Sequence, residues 1–189
     1  MTGDAAPGSH EFRTVSSREI FDGHVVRLRV DTVSMPGGGT ADREICGHDD
    51  AVAVVALDEQ GRIALLRQYR HAVGERLWEL PAGLCDVDGE EPLETARREL
   101  VEETGLEADH WRPLIEIVPS PGFSTERVHV YLATGIREVP RPEAEHEEAD
   151  MEQSWLPVAE AVEMIFDGRM INGIAVSGIL AAREALARP

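Results

Sequence analysis

The sequence predicts an α/β fold with a small antiparallel β-sheet ahead of it, on three observations. Residues from about Phe12 to Gly47 read as short strands broken by Pro36-Gly37-Gly38-Gly39. The run Ala51 to Leu57 is short, continuous and β-branched, the pattern of a strand buried on both faces. Beyond it, one helical segment, further strand patterns and two closing helical segments alternate along the chain.

Each element has its own signal. Residues 1–11 are small and polar, and a flexible N-terminus is expected there. His24 to Val30 nearly alternates apolar and basic residues, and a return strand is expected over Ala41 to Cys46. Asp58-Glu59-Gln60-Gly61 is a turn, so Arg62 to Gln68 pairs back on Ala51 to Leu57 as a hairpin. Arg76 to Leu80 is a short strand that ends at Pro81-Ala82-Gly83. Pro92 suits a first helical position and Gly105 a helix end, with Leu93, Ala96 and Leu100 as the apolar stripe between them. Residues 114–118 and 127–133 read as strands, Trp155 as part of a last strand, and Val158 to Phe166 and Ile171 to Leu186 as closing helices.

Composition narrows the function. The 189 residues suit one domain with a small appendage, and a hydrophobic fraction of 42% is enough for a core. Thirty-six acids against 18 bases leave a net charge of −18, which opposes binding to nucleic acid or to an anionic membrane. Every base is arginine. Cys46 and Cys85 are the only cysteines, too few for a disulfide scaffold. Met1 to Gly8 has neither a basic region nor an apolar stretch, and the longest apolar runs are too short to span a bilayer, so a cytoplasmic protein without a signal peptide is expected.

The most informative run is Arg98 to Leu106. It spaces Glu99, Glu102 and Glu103 at i, i+3 and i+4, so a helix carries all three carboxylates on one face. Like charges that close repel unless a hard divalent cation takes oxygens from several of them, as Mg²⁺ does together with substrate phosphates. The bland alternative is an exposed helix face with solvated charges.

Gly83, six residues, Glu90, seven residues and Arg98-Glu99-Leu100-Val101-Glu102-Glu103-Thr104-Gly105-Leu106 closely resemble the Nudix box, with one residue more than usual in the first spacer. The resemblance implies a Nudix-type α/β/α sandwich with a mixed sheet over residues 48–189, preceded by a small dimerising β-sheet over 12–47. It implies that Glu99, Glu102, Glu103 and the carbonyl of Ala82 hold the metal, Mg²⁺ or alternatively Mn²⁺. It also implies a structural role for Gly83, Gly105 and Arg98, the last orienting box carboxylates by bidentate hydrogen bonds.

Outside the box the chain resembles the ADP-ribose pyrophosphatase branch. The residues that carry this are Gln68-Tyr69-Arg70, Leu77-Trp78-Glu79-Leu80-Pro81 and Pro121, fifteen residues past Leu106. Arg70 suits a phosphate in a fork that lysine cannot copy, or is a surface arginine in a turn. Glu79 suits an adenine amino group or a ribose hydroxyl, or pairs with Arg76. Trp78 is core or a base-stacking platform. Glu126 binds metal or ribose, or pairs with Arg127 or Arg112. A glutamate of the acidic run 143–150 is the general base that the branch implies. Glu147 and Glu148 are equal candidates, and His146 is the alternative.

The reaction so implied is Mg²⁺-dependent hydrolysis of ADP-ribose to AMP and ribose 5-phosphate, with several metals bridging the diphosphate. Other nucleoside diphosphate derivatives (nucleotide sugars, dinucleoside polyphosphates, NADH) are alternative substrates. A non-catalytic ADP-ribose-binding regulator is the reading from another class. The branch further implies a homodimer with exchanged N-terminal sheets, and a three-stranded sheet that small is marginal alone.

Overall fold

The structure is a computed structural model, and it describes residues 8–142 and 150–188. Residues 1–7 of the expected flexible terminus, and Glu147, Glu148 and His146 of the acidic run, lie outside the described residues. The chain divides into two compact units.

The N-terminal unit runs to Asp49 and takes in Ser120–Glu126. Strands β1 (Thr14–Asp22), β2 (Val26–Ser34) and β3 (Thr40–His48) pair antiparallel in the order β1-β2-β3. The loop residues join β3 through their backbone. The Cys46 N–H donates to the Phe123 carbonyl at 2.7 Å and the Thr125 N–H to the Cys46 carbonyl at 3.0 Å. His48 N–H donates to Thr125 Oγ1 at 3.1 Å.

The main unit holds Asp50–Pro119 and the chain from Arg127 onward. Its strands are β4 (Ala51–Ala56), β5 (Arg62–Arg70), β6 (Glu75–Glu79), β7 (Ala82–Leu84), β8 (Leu106–Ile117), β9 (Val128–Glu138) and β10 (Glu152–Pro157). Its helices are α1 (Pro92–Thr104), α2 (Val158–Phe166) and α3 (Gly173–Ala187). One sheet has the order β7-β4-β9-β8 and the other β10-β5-β6. The first is mixed, because β4 runs parallel to β9 and antiparallel to β7.

Alternation along β4 sets the layers. Val52, Val54 and Ala56 pack in one apolar cluster with Ala96 and Leu100 of α1. Ala51, Ala53 and Val55 pack in another with Ala161 and Met164 of α2 and Ala175 and Ile179 of α3. Period-two side chains therefore feed two cores, and the sheets lie between α1 and the C-terminal helices. Asp58 closes the turn between β4 and β5, accepting from the N–H groups of Gln60 and Arg62 at 2.9 and 2.8 Å.

Three elements differ from the sequence reading. The expected hairpin of Arg62 to Gln68 on Ala51 to Leu57 is reduced to a single Leu57–Ile63 bridge, because β7 and β9 occupy both edges of β4 and β5 enters the other sheet between β10 and β6. Strand β8 begins at Leu106 rather than near residue 114. As an edge strand it tolerates Pro113, where the pairing with β9 shifts register. The three-residue strand β7 has no separate signal in the sequence.

Candidate active site

Helix α1 presents the glutamates because its two ends are fixed. Pro92 stands in the first turn, and Gly105 caps the end in the left-handed region (φ 66°), donating to the Val101 carbonyl at 2.8 Å. The apolar stripe with buried Ala96 and Leu100 turns α1 onto the sheet. That orientation brings the carboxylates against β7. A Cβ at Gly83 would lie 2.1 Å from the Glu99 carboxyl carbon, so only glycine leaves room for that side chain. Glu103 is buried, and its Oε2 accepts from the Ala82 N–H at 2.8 Å.

Arg98 lies among three of the box carboxylates. Its Nη1 donates to Glu99 Oε1 at 2.8 Å and to Glu102 Oε2 at 3.0 Å, and its Nη2 to Glu90 Oε2 at 3.1 Å. The longer first spacer therefore still lets Glu90 reach Arg98. The hydrogen bond to Glu90 is the main reason the guanidinium holds its proton more firmly than usual. The same bond, with one from Thr95 Oγ1 at 2.8 Å, holds Glu90 below the ordinary carboxylate range.

Glu99 is shifted the other way. Burial pushes its carboxyl up, Arg98 opposes this, and Glu102 and Asp86 add repulsion. Glu102 and Glu103 also sit in the last turn of α1, where the helix dipole disfavours anions and the turn itself carries no basic residue. A partly buried, crowded, all-oxygen donor set at a helix C-terminus suits a hard divalent cation. Among the described residues no group of three acidic, His or Cys side chains is already drawn into a coordination sphere, and Arg98 bridges the carboxylates instead.

The remaining candidates separate by sheet face. Glu79 is buried, and both its oxygens bind the Arg70 guanidinium, at 2.6 Å to Nη2 at the closest. Gln68 donates to the same carboxylate at 3.1 Å. The partner of Glu79 is thus Arg70 rather than Arg76, which pairs with Asp150. The parity of β5 and β6 puts Gln68, Arg70 and Glu79 on the side of Ala64, which packs in the α1 cluster. Trp78 takes the opposite parity and packs in the α2 and α3 cluster. The structure therefore brings Arg70 and Glu79 together and turns Trp78 away from them. In the N-terminal unit, Glu126 lies 3.8 Å from His48; in the main unit, Arg127 pairs with Glu116.

Three contributors carry no motif. Thr95 is a polar residue buried beside Ala96, a pattern that calls for a hydrogen-bond partner. Gln68 is likewise buried in an apolar strand. Arg141 donates from Nε to the Glu102 carbonyl at 2.8 Å, and nothing in its sequence surroundings signals this.

A family model described as the NUDIX domain matches residues 47–173. The chain belongs to the Nudix family. A second model, the nucleoside diphosphate sugar hydrolase N-terminal domain, matches residues 12–45. Among curated proteins, this Nudix chain is 55% identical to an ADP-ribose pyrophosphatase of Mycobacterium tuberculosis, over 91% of this chain and 83% of that one. It is 37% identical to a methanol dehydrogenase activator of Bacillus methanolicus, over 93% and 96% of the two chains. It is 42% identical to an ADP-ribose pyrophosphatase of Bacillus subtilis, over 66% and 67%. A solved structure described as an ADP compounds hydrolase superposes with a TM-score of 0.81 at 19% identity, covering 94% of this chain and 95% of that one, and supports the fold.

Proposed function

We propose that this Nudix chain hydrolyses the diphosphate bond of ADP-ribose to AMP and ribose 5-phosphate, using Mg²⁺ or Mn²⁺. The observation that carries the reading is the meeting of the Glu99 and Glu103 carboxylates with the backbone of Ala82 and Gly83. High identity to the mycobacterial ADP-ribose pyrophosphatase supports the substrate.

Glu99, Glu102, Glu103 and the Ala82 carbonyl would hold the ion. When bound, it neutralises charge on the phosphoryl oxygens and lowers the pKa of a water. Arg98 orients Glu99 and Glu102, and its charge opposes the protonation that burial favours at Glu99. Glu103 is fixed by the Ala82 N–H, so its second oxygen has a defined direction. Arg70, whose Nε and Nη2 are held by Glu79, is assigned to the substrate phosphate through its positive charge. A glutamate of the 143–150 run, Glu147 or Glu148, takes the proton of the attacking water. Glu126 is assigned to ribose or metal.

A homodimer formed through the N-terminal sheet belongs to the same proposal. Every residue of β1 is exposed, and Val15 and Phe21 are 63% and 56% exposed, an apolar surface that a second copy would cover. The proposed compartment is the cytoplasm, and the described residues include no helix long and apolar enough to cross a membrane.

The test is Glu103→Gln, whose amide oxygen still accepts from Ala82. It should lower kcat by about three orders of magnitude or more while thermal unfolding is nearly unchanged. Products from ADP-ribose, nucleotide sugars, dinucleoside polyphosphates and NADH are identified in parallel. Wild-type turnover in the variant would overturn the metal assignment. Binding of ADP-ribose without hydrolysis by the native chain would favour the regulator.

A further inference from the structure

The face of β5 and β6 turned away from α1 carries a second cleft that the proposed reaction does not use. It measures about 370 Å³ and lies against α2. Arg67, Arg76 and Arg169 line it, over an apolar floor of Trp78, Leu156 and Met164. Three of the chain's 18 basic residues thus gather in one cleft of a protein whose net charge is −18. The Arg67 guanidinium stands over the Trp78 ring at 5.8 Å. Its Nε is buried without a hydrogen-bond partner, one of two such side-chain atoms among the described residues. A buried donor left unpaired costs stability, so it marks a place where an acceptor belongs.

We infer that this cleft binds a phosphomonoester dianion carried on a flat, apolar body. Guanidinium forks match phosphate oxygens bidentately, and three of them suit a doubly charged group. The indole, leucine and methionine side chains offer the body of such a ligand an apolar surface. A volume near 370 Å³ lies within the range of small-molecule sites, which begins at about 300 Å³. The acidic neighbours do not close the cleft. Glu152 lies 3.9 Å from Arg67, Asp150 pairs with Arg76, Asp167 pairs with Arg169 at 2.6 Å, and Glu160 stands on the rim. The three paired acids are solvent-exposed, and surface ion pairs of that kind are worth little, so a dianion exchanges for them at small cost.

The site is tested by calorimetry on the full chain, with inorganic phosphate and with AMP, in the presence of a chelator that suppresses metal-dependent binding at the box. The comparison is with Arg67→Gln/Arg169→Ala, and with Arg169→Glu alone in case the double variant does not fold. Both ligands should bind the native chain, AMP more tightly than phosphate, and both should bind the variants at least about tenfold more weakly. ADP-ribose turnover should be unchanged. Equal affinity in native and variant chains overturns the site, as does no binding of either ligand up to about 10 mM. Phosphate binding as tightly as AMP overturns the apolar half of the assignment.

Discussion

Replacing Gly83 by alanine tests the site through a residue with no side chain of its own. The new Cβ would lie 2.1 Å from Glu99 Cδ, 2.2 Å from Oε1 and 2.5 Å from Cγ. Ordinary contact begins at 3.4 Å, so the carboxyl carbon has to move by more than about 1 Å. Metal–ligand distances tolerate about 0.2 Å, and a displacement near 1 Å at a reacting centre costs about a hundredfold in rate. Gly83→Ala should therefore lower kcat by about a hundredfold or more and raise the Mg²⁺ concentration needed for half-maximal rate. Glu99 can turn outward, so the melting temperature should fall by only a few degrees, roughly 2–4 °C per kcal/mol for a chain of this size. The assay is AMP release against Mg²⁺ concentration, paired with thermal unfolding. A cycle with Glu99→Ala isolates the cause. Once the carboxylate is gone, adding Gly83→Ala should change kcat by less than about threefold. A single Gly83→Ala variant with native kcat, or a further hundredfold loss on the Glu99→Ala background, would refute the reasoning.

Other perturbations have distinct signatures. Arg70→Lys keeps the charge but loses the fork held by Glu79, and KM for ADP-ribose should rise about tenfold with a smaller change in kcat, read from steady-state kinetics. Leu100→Ala opens a cavity beneath α1 and should cost roughly 3 kcal/mol in urea unfolding. Asp58→Asn should cost about 1 kcal/mol at pH 7. Burial pushes the Asp58 carboxyl up, but hydrogen bonds from Arg62 and Gln60 and the Arg62 charge together hold it below its ordinary range. Its folded pKa lies below the unfolded one, so its stabilisation is present above about pH 4 and fades as pH falls below that. The stability gap between the native and Asp58→Asn chains should therefore narrow as pH falls below about 4, measured by unfolding at several pH values.

The sequence made α1 legible because its signals are local. Proline and glycine mark its ends, and a 3.6-residue period fixes which side chains share a face. The carboxylate row needed nothing more. What stayed hidden depends on pairing between distant segments. The Arg70–Glu79 contact requires the register of the β5–β6 hairpin, and Glu79 alone is equally compatible with Arg76. The opposed faces of Trp78 and Glu79 follow from strand parity, but only strand positions tell which face meets α1. Strand β8 was obscured because Leu106 to Pro113 is charged and contains proline, a composition that an edge strand accepts and a central one does not. The neighbour of Glu126, His48 at 3.8 Å, stands on a strand far earlier in the chain and beyond the reach of any local pattern.

The bonding of Ser120–Glu126 to β3 makes the N-terminal unit discontinuous in the chain. Excising Met1–Asp49 would not yield a clean fragment. It would strip the Phe123 carbonyl and the Thr125 N–H of their Cys46 partners and leave an orphaned stretch of backbone between two strands of the remaining piece. A graft of Met1–Asp49 onto another protein would lack that stretch for the same reason. Modular exchange of this sheet therefore requires transplanting two separate segments at once.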